Sequence, residues 1–203
     1  IRQEPISYVA YKRAFEVVHE AMMAGNTYLL NLTFPTKIEL QGNLEDVYQW
    51  GVAPYRFFWK DHCCCFSPES FVQINHGHIQ TTPVKGTSVV AKDGDGQRLL
   101  SNEKERAEHR MVVDLLRNDL AQIATDVAVT RFRYLDPIST DRGALWQTES
   151  LIEGVMPNDW PASVGDILKR LMPPGSVTGM PKHETCKIID TVETVPRGYY
   201  CGI

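Results

Sequence analysis

Residues 102–124, NEKERAEHRMVVDLLRNDLAQIA, set how the rest of the chain is read. Met111, Val112, Leu115, Leu116, Leu120 and Ile123 recur at helical spacing, so the stretch is expected to form one long amphipathic helix with these residues inward. Strand-like segments lie on both sides of it. Upstream come Arg56–Trp59, Cys63–Phe66, Phe71–Ile74 and His78–Thr82, with Asn75-His76-Gly77 as a hairpin turn between the last two. Downstream come Val127–Tyr134 and Trp146–Ile152. Strands and helices are interspersed without strict alternation and without a repeat, which implies an α+β fold.

Nearer the start, Ser7 is placed to cap a helix. Val9, Phe15, Val17, Val18, Ala21 and Met22 form its stripe, and Gly25 ends it. Thr27–Phe34 reads as a largely buried strand ending at Pro35, and residues 88–98, SVVAKDGDGQR, read as an exposed loop. Ser163–Leu171 and a last stretch from Pro181 to about Val192 read as helices. A chain of 203 residues suits one well-cored domain, and residues 1–203 are taken as such.

Composition excludes several classes. Hydrophobic residues make up 43% and charged residues 23%, against disorder, and the net charge of -4 comes without a basic stripe, against nucleic-acid binding. No apolar run reaches the roughly 20 residues of a membrane helix, and residues 1–10 show no signal-peptide pattern, so a cytoplasmic protein is expected. Cysteines at 63, 64, 65, 186 and 201 are odd in number and three are consecutive. They do not make a disulfide framework, and neighbours on a strand alternate faces, so they read as small buried hydrophobes in a reducing compartment.

Five segments can carry chemistry. In Ser67-Pro68-Glu69-Ser70-Phe71, Glu69 is either a surface glutamate in a turn or, between Phe66 and Phe71, a partly desolvated general acid. In Thr82-Pro83-Val84-Lys85-Gly86-Thr87, Lys85 is either a solvated strand-end lysine or, when neutral, a nucleophile, and Gly86 lets the backbone approach a ligand. Glu105 and Glu108 lie on one helix face, suiting either the helix N-terminus or a hard cation such as Mg²⁺. Asp114, Arg117, Asn118 and Asp119 further along suit a structural polar network. The run from Pro174 to Lys182 places two glycines, Thr178 and a proline at a helix start, a setting that attracts carboxylates, with Lys182 adding positive charge. Its spacing is not that of a Walker loop, which argues against nucleotide binding. Arg197, in Arg197-Gly198-Tyr199-Tyr200, can clamp a carboxylate bidentately.

In this order, SPESF, TPVKGT, KERAEHRMVVDLLRNDLAQIA, PPGSVTGMPKHET and VPRGYYCG resemble the motifs of the chorismate-binding enzymes over nearly the whole chain. The resemblance implies that family's fold, with mixed or antiparallel sheets packed against helices, and implies roles. Glu69 is expected to protonate the departing hydroxyl of chorismate. Glu105 and Glu108 are expected near Mg²⁺, with Glu108 the stronger ligand. Gly86, Thr87, Thr178, Lys182 and Arg197 are expected to bind the substrate. Lys85 sets the subfamily. Aminodeoxychorismate-forming members typically have lysine there, and the anthranilate-, isochorismate- and salicylate-forming ones alanine. The lysine amine is expected to attack the ring covalently, with ammonia displacing it, which requires a lowered pKa. The resemblance thus implies formation of aminodeoxychorismate, in para-aminobenzoate and folate synthesis, with ammonia from a glutamine amidotransferase partner.

Leu29 stands where isochorismate and salicylate synthases place a water-activating lysine. It departs from the glutamine common in amino-forming members, as Gln147 departs from a histidine. The family pattern continues past Ile203 into a helix with another magnesium glutamate and a substrate lysine, so the domain is expected to be incomplete at its C-terminal end. Anthranilate synthesis, with loss of pyruvate, is the competing enzymatic reading. A non-catalytic chorismate-binding module is the competing reading of another class.

Overall fold

The structure is a computed structural model that describes residues 2–67, 69–90, 95–140 and 143–200. The chain divides into two compact units, residues 1–70 with 177–203 and residues 71–176. The α+β expectation holds in both. Among the described residues every strand pairing is antiparallel.

The first unit begins with β1 (Arg2–Glu4) and α1 (Tyr8–Met23), capped by the Ser7 hydroxyl accepting from the Ala10 N–H at 3.3 Å. Then come β2 (Leu29–Leu30), β3 (Lys37–Glu39), α2 (Leu44–Trp50), β4 (Tyr55–Trp59) and β5 (Cys63–Ser67). Strands pair in two-stranded ribbons, β1 with β3 and β4 with β5. The core is small. Ala14 and Val18 meet Val192, with Leu30, Leu32, Phe34 and Ile188 packed around them.

Three expectations are corrected here. Val9, Phe15, Val17 and Met22 are exposed on α1, because only the line through Ala14 and Val18 faces the core. The strand expected over Thr27–Phe34 shrinks to Leu29–Leu30, since its partner segment is equally short. Cys63 and Cys64 are half-buried and Cys65 exposed, because β4–β5 is a ribbon whose covered side is taken by Phe58 and Phe66 against Tyr48; Cys186 is also half-buried. Cys201 lies outside the described residues.

The second unit is built on a five-stranded sheet of β6 (Gln73–Asn75), β7 (His78–Thr81), β8 (Val84–Val89), β9 (Thr125–Thr140) and β10 (Gly143–Val155). The expected hairpin joins β6 and β7: His76 and Gly77 both have positive φ, 47° and 78°, as a two-residue primed turn needs. β10 is the organising strand. β9 runs along one of its edges, and the other is shared by β8 at Leu145–Glu149 and β7 at Ile152–Val155.

Alternate residues of β10, namely Thr148, Ser150, Ile152 and Gly154, are buried. On that face lie α3 (Asp95–Ser101) and α4 (Glu103–Leu120). The single helix expected over 102–124 is α4, which ends at Leu120, while α3 forms in the stretch expected as loop, so Gly96–Arg98 is helical; residues 91–94 lie outside the described residues. Gly96 reads as a loop signal, yet its missing Cβ makes room for Leu135 Cδ1 and the Trp146 ring. Val113, Leu116, Leu120 and Ile123 join Ile79, Ile152, Met156, Ile167 and Leu171 in the core, whereas Met111, expected inward, is 40% exposed. Ile79 and Ile152 are fully buried, and truncating either to alanine costs about 2–5 kcal/mol. After β10 come α5 (Val164–Leu171), a short turn of helix at Gly175–Thr178, β11 (Gly179–Met180), which pairs with β2, and α6 (Lys182–Val192). Of these, β11 and α6 belong to the first unit.

Candidate active site

The site residues of the second unit converge where β8 leaves regular pairing. Thr87 faces Gln147 and Val84 faces Glu149 on β10, so Lys85 and Gly86 together oppose Thr148 alone. This is a β-bulge, and Gly86 at φ +89° supplies a backbone conformation that few other residues tolerate. The bulge re-aims the Lys85 side chain towards α4, where Nζ lies 3.2 Å from Glu108 Oε2, both side chains about 40% exposed (42% and 38%). A Cβ placed on Gly86 would lie 3.0 Å from Glu105 Oε2 and 3.4 Å from Thr148 Oγ1. Lys85, Gly86, Glu105 and Glu108 therefore form one cluster. Lys104 Nζ stands 3.9 Å from the other Glu108 oxygen. Thr87 is exposed, and its partner Gln147 donates to Glu149 Oε1 at 3.3 Å.

Beneath this cluster lies a polar layer missed in the sequence. Thr148 Oγ1 donates to the Lys85 carbonyl. Ser150 Oγ accepts the Arg133 N–H at 2.9 Å and meets His109 Nε2 at 2.6 Å. Since Ser150 accepts from Arg133, its own proton is free to donate to a neutral ring. Burial first, and then the Arg133 charge, push the His109 imidazole below its ordinary pKa, while the nearby Lys85 carbonyl acts weakly in the other direction. His109 is fully buried, and among the described residues its Nδ1 has no hydrogen-bond partner. The signal for this layer was the alternation of Thr148, Ser150 and Ile152 along one strand face. Asp119, expected in a polar network, is buried and accepts the Gly175 N–H at 3.0 Å, while Arg117 pairs with Asp114 at 3.5 Å.

On the far face of the sheet, Glu149 accepts from Tyr134 at 3.2 Å as well as from Gln147. Burial, and next the Asp136 charge, raise its pKa.

The remaining site residues lie in the first unit. Glu69 is exposed, not desolvated, in a turn where Ser67 Oγ accepts its N–H at 3.3 Å and donates to its carbonyl at 2.8 Å. Thr178 is 5% exposed, and its carbonyl accepts the Asn31 N–H at 2.9 Å. Lys182, the first residue of α6, is half-buried. Gly179, at φ +137°, lies so close to β2 that a Cβ would overlap the Leu29 carbonyl.

Arg197, expected to clamp a substrate, directs its fork inside the unit. Nε and Nη2 donate to the two Glu193 oxygens at 2.8 and 2.6 Å, Nη2 also to the Asn31 carbonyl at 2.7 Å, and Nη1 to the Val177 carbonyl.

Among the described residues, no group of three or more His, Cys, Asp or Glu side chains is placed to hold a metal. Glu105 and Glu108, on consecutive turns of one helix face, fit Mg²⁺ in the manner of one or two carboxylates completed by waters and substrate oxygens. No helix among the described residues is long and apolar enough to cross a membrane.

The family described as chorismate binding enzyme matches residues 2–203, and the chain belongs to that family. An uncharacterised PabA-like protein of Pasteurella multocida (strain Pm70) is 49% identical over 199 residues, covering 98% of this chain and 61% of that protein. Aminodeoxychorismate synthase component 1 of Salmonella typhimurium (strain LT2) is 31% identical over 214 residues, covering 98% of this chain and 46% of that protein. The crystal structure of anthranilate synthase component I from Streptococcus pneumoniae TIGR4 superposes with a TM-score of 0.79 at 28% identity, over 99% of this chain and 46% of that one. The chain spans less than two thirds of the length of each.

Proposed function

We propose that this member of the chorismate binding enzyme family carries the amination chemistry of an aminodeoxychorismate synthase component 1, converting chorismate and ammonia to aminodeoxychorismate and water. The observation that carries the reading is the β-bulge that turns Lys85 towards Glu108 at 3.2 Å, with Gly86 against Glu105. The 31% identity to an aminodeoxychorismate synthase component 1 supports it.

In this reading Lys85 Nζ, as the neutral amine, forms a bond to the chorismate ring while the ring hydroxyl departs as water with a proton from Glu69. Ammonia then adds to the ring as the Lys85–ring bond breaks to return the neutral amine, and the proton released by the incoming nitrogen restores Glu69. Glu108 holds Nζ in place between turnovers. Glu105 and Glu108 would hold Mg²⁺, which when bound supplies positive charge for a substrate carboxylate. Gly86, Thr87, Thr178 and Lys182 contribute to substrate binding. Arg197 contributes through the Val177 carbonyl, which fixes the segment leading to Thr178. The ammonia comes from a glutamine amidotransferase partner, and the reaction takes place in the cytoplasm.

Product analysis by mass spectrometry, after incubation with chorismate, ammonium and Mg²⁺, tests this. Aminodeoxychorismate is expected, and Lys85→Ala is expected to lose most of it while staying folded. Full turnover in Lys85→Ala would remove the covalent role. Anthranilate as product would favour the reaction named for the Streptococcus structure, and chorismate bound without conversion would favour a binding module.

A further inference from the structure

We infer that the two buried hydroxyls of β10, Thr148 and Ser150, with Arg133 and His109 behind them, are positioning residues that set Lys85 against Glu108; the inference deepens the functional reading above and rests on it. Lys85 and Glu108 sit on different elements, β8 and α4, and both side chains are long and partly exposed. Such a pair holds a 3.2 Å separation reproducibly only if the backbones behind it are fixed.

Thr148 and Ser150 occupy the face of β10 that continues as core at Ile152, and both are fully buried. A buried hydroxyl is costly unless hydrogen-bonded. Each of these bonds a different wall of the cluster. Thr148 takes the Lys85 carbonyl, at the bulge itself. Ser150 takes His109, the residue next to Glu108. One strand thus pins the nucleophile's backbone and the carboxylate's helix two residues apart.

Arg133 fixes the direction of that helix. β9 has its own irregularity opposite Ser150, where pairing passes from Tyr134–Glu149 to Arg131–Leu151, and Arg133 sits in it with φ +49°. A non-glycine residue in that region is uncommon and is held there by its surroundings. The guanidinium, 7% exposed as a residue, donates to the carbonyls of Leu99 and Leu100 at 2.6 Å each and of Asn102 at 3.4 Å. It closes the carbonyl end of α3 and grips Asn102, whose side chain caps α4 by accepting the Glu105 N–H at 3.1 Å. The planar fork reaches the three carbonyls from two separate nitrogens held in fixed geometry, where a lysine would have to reach all three from one.

The test compares Thr148→Val and Ser150→Ala, which remove the hydroxyls, with Thr148→Ser, which keeps one. Two readouts are taken on each folded variant. The first is the rate of Lys85 acetylation by acetic anhydride relative to exposed Lys37, followed by mass spectrometry. The second is kcat and KM for chorismate. The hydroxyl-deleting variants are expected to acetylate Lys85 faster, as the amine leaves Glu108. They are also expected to lose about 10²-fold in kcat, the scale of a misplacement near 1 Å, with KM changed little. Thr148→Ser should keep both near wild type. Wild-type acetylation and kcat in folded Thr148→Val and Ser150→Ala would overturn the inference. Should Ser150→Ala not fold, Thr148→Val, close in shape to threonine, decides alone. If the wild-type protein forms no aminodeoxychorismate, the functional reading fails, and acetylation still decides whether the hydroxyls place Lys85.

Discussion

Replacing Arg197 by methionine distinguishes a role in holding the fold from a role in holding a substrate. Its partner Glu193 is 5% exposed and Arg197 16%, so the pair is largely withdrawn from water. Without the guanidinium, Glu193 keeps the Thr33 N–H at 2.9 Å, its one remaining donor among the described residues. Removing one member of such a pair costs about 3–5 kcal/mol, because the charge left behind is uncompensated. The carbonyls of Asn31 and Val177 also lose a donor, in the same direction. Urea unfolding, extrapolated linearly to water, is expected to show a loss of at least about 3 kcal/mol for Arg197→Met. Part of it should return in Arg197→Met with Glu193→Gln, where no bare charge remains. Stability within about 1 kcal/mol of wild type, accompanied by a large rise in KM for chorismate, would refute the reasoning. That result would mean the fork is available to a substrate carboxylate and the Glu193 pair is incidental.

Three further predictions address other parts of the molecule. Gly179→Ala forces a Cβ onto the Leu29 carbonyl at φ +137°, and the strain alone is about 1–3 kcal/mol, so its unfolding midpoint should fall clearly below wild type; an unchanged midpoint would contradict the β2–β11 contact. Glu108→Ala and Glu105→Ala should each weaken the dependence of turnover on Mg²⁺, and an unaltered magnesium titration would remove them as ligands. Glu149 has a raised pKa in the folded protein, through burial and then Asp136, so the native state binds its proton more tightly than the unfolded chain. Its stabilising contribution is full below the ordinary value of 4.5 and is lost as pH rises through the folded value. Glu149→Gln should therefore gain stability relative to wild type between acid and neutral pH, and a difference constant with pH would refute this.

The parts of the molecule legible in the sequence are those whose signals are local. Ser7 caps α1, His76-Gly77 turns the β6–β7 hairpin, and α5 and α6 begin one residue after Ser163 and Pro181, where the sequence places their starts. What failed needed knowledge of a distant partner. Gly96 looks like a loop glycine until Leu135 and Trp146 occupy the space its side chain would fill. Phe15 looks like core, yet the buried line of α1 runs through Ala14 and Val18 against Val192.

The site shows the same division more sharply. The motif spacing brings out Lys85, Gly86, Glu105 and Glu108, because each belongs to a short run of unusual residues, and the structure gathers these four. Thr148, Ser150, His109 and Arg133 carry no such run. Each is an ordinary residue on a strand or helix, and its meaning comes from buried hydroxyls that must bond to something. Groups that meet a ligand can be recognised by their chemistry. The groups that aim them are recognised by asking where every buried hydrogen bond goes, and here those bonds end on the Lys85 carbonyl and on the helix turn carrying Glu108.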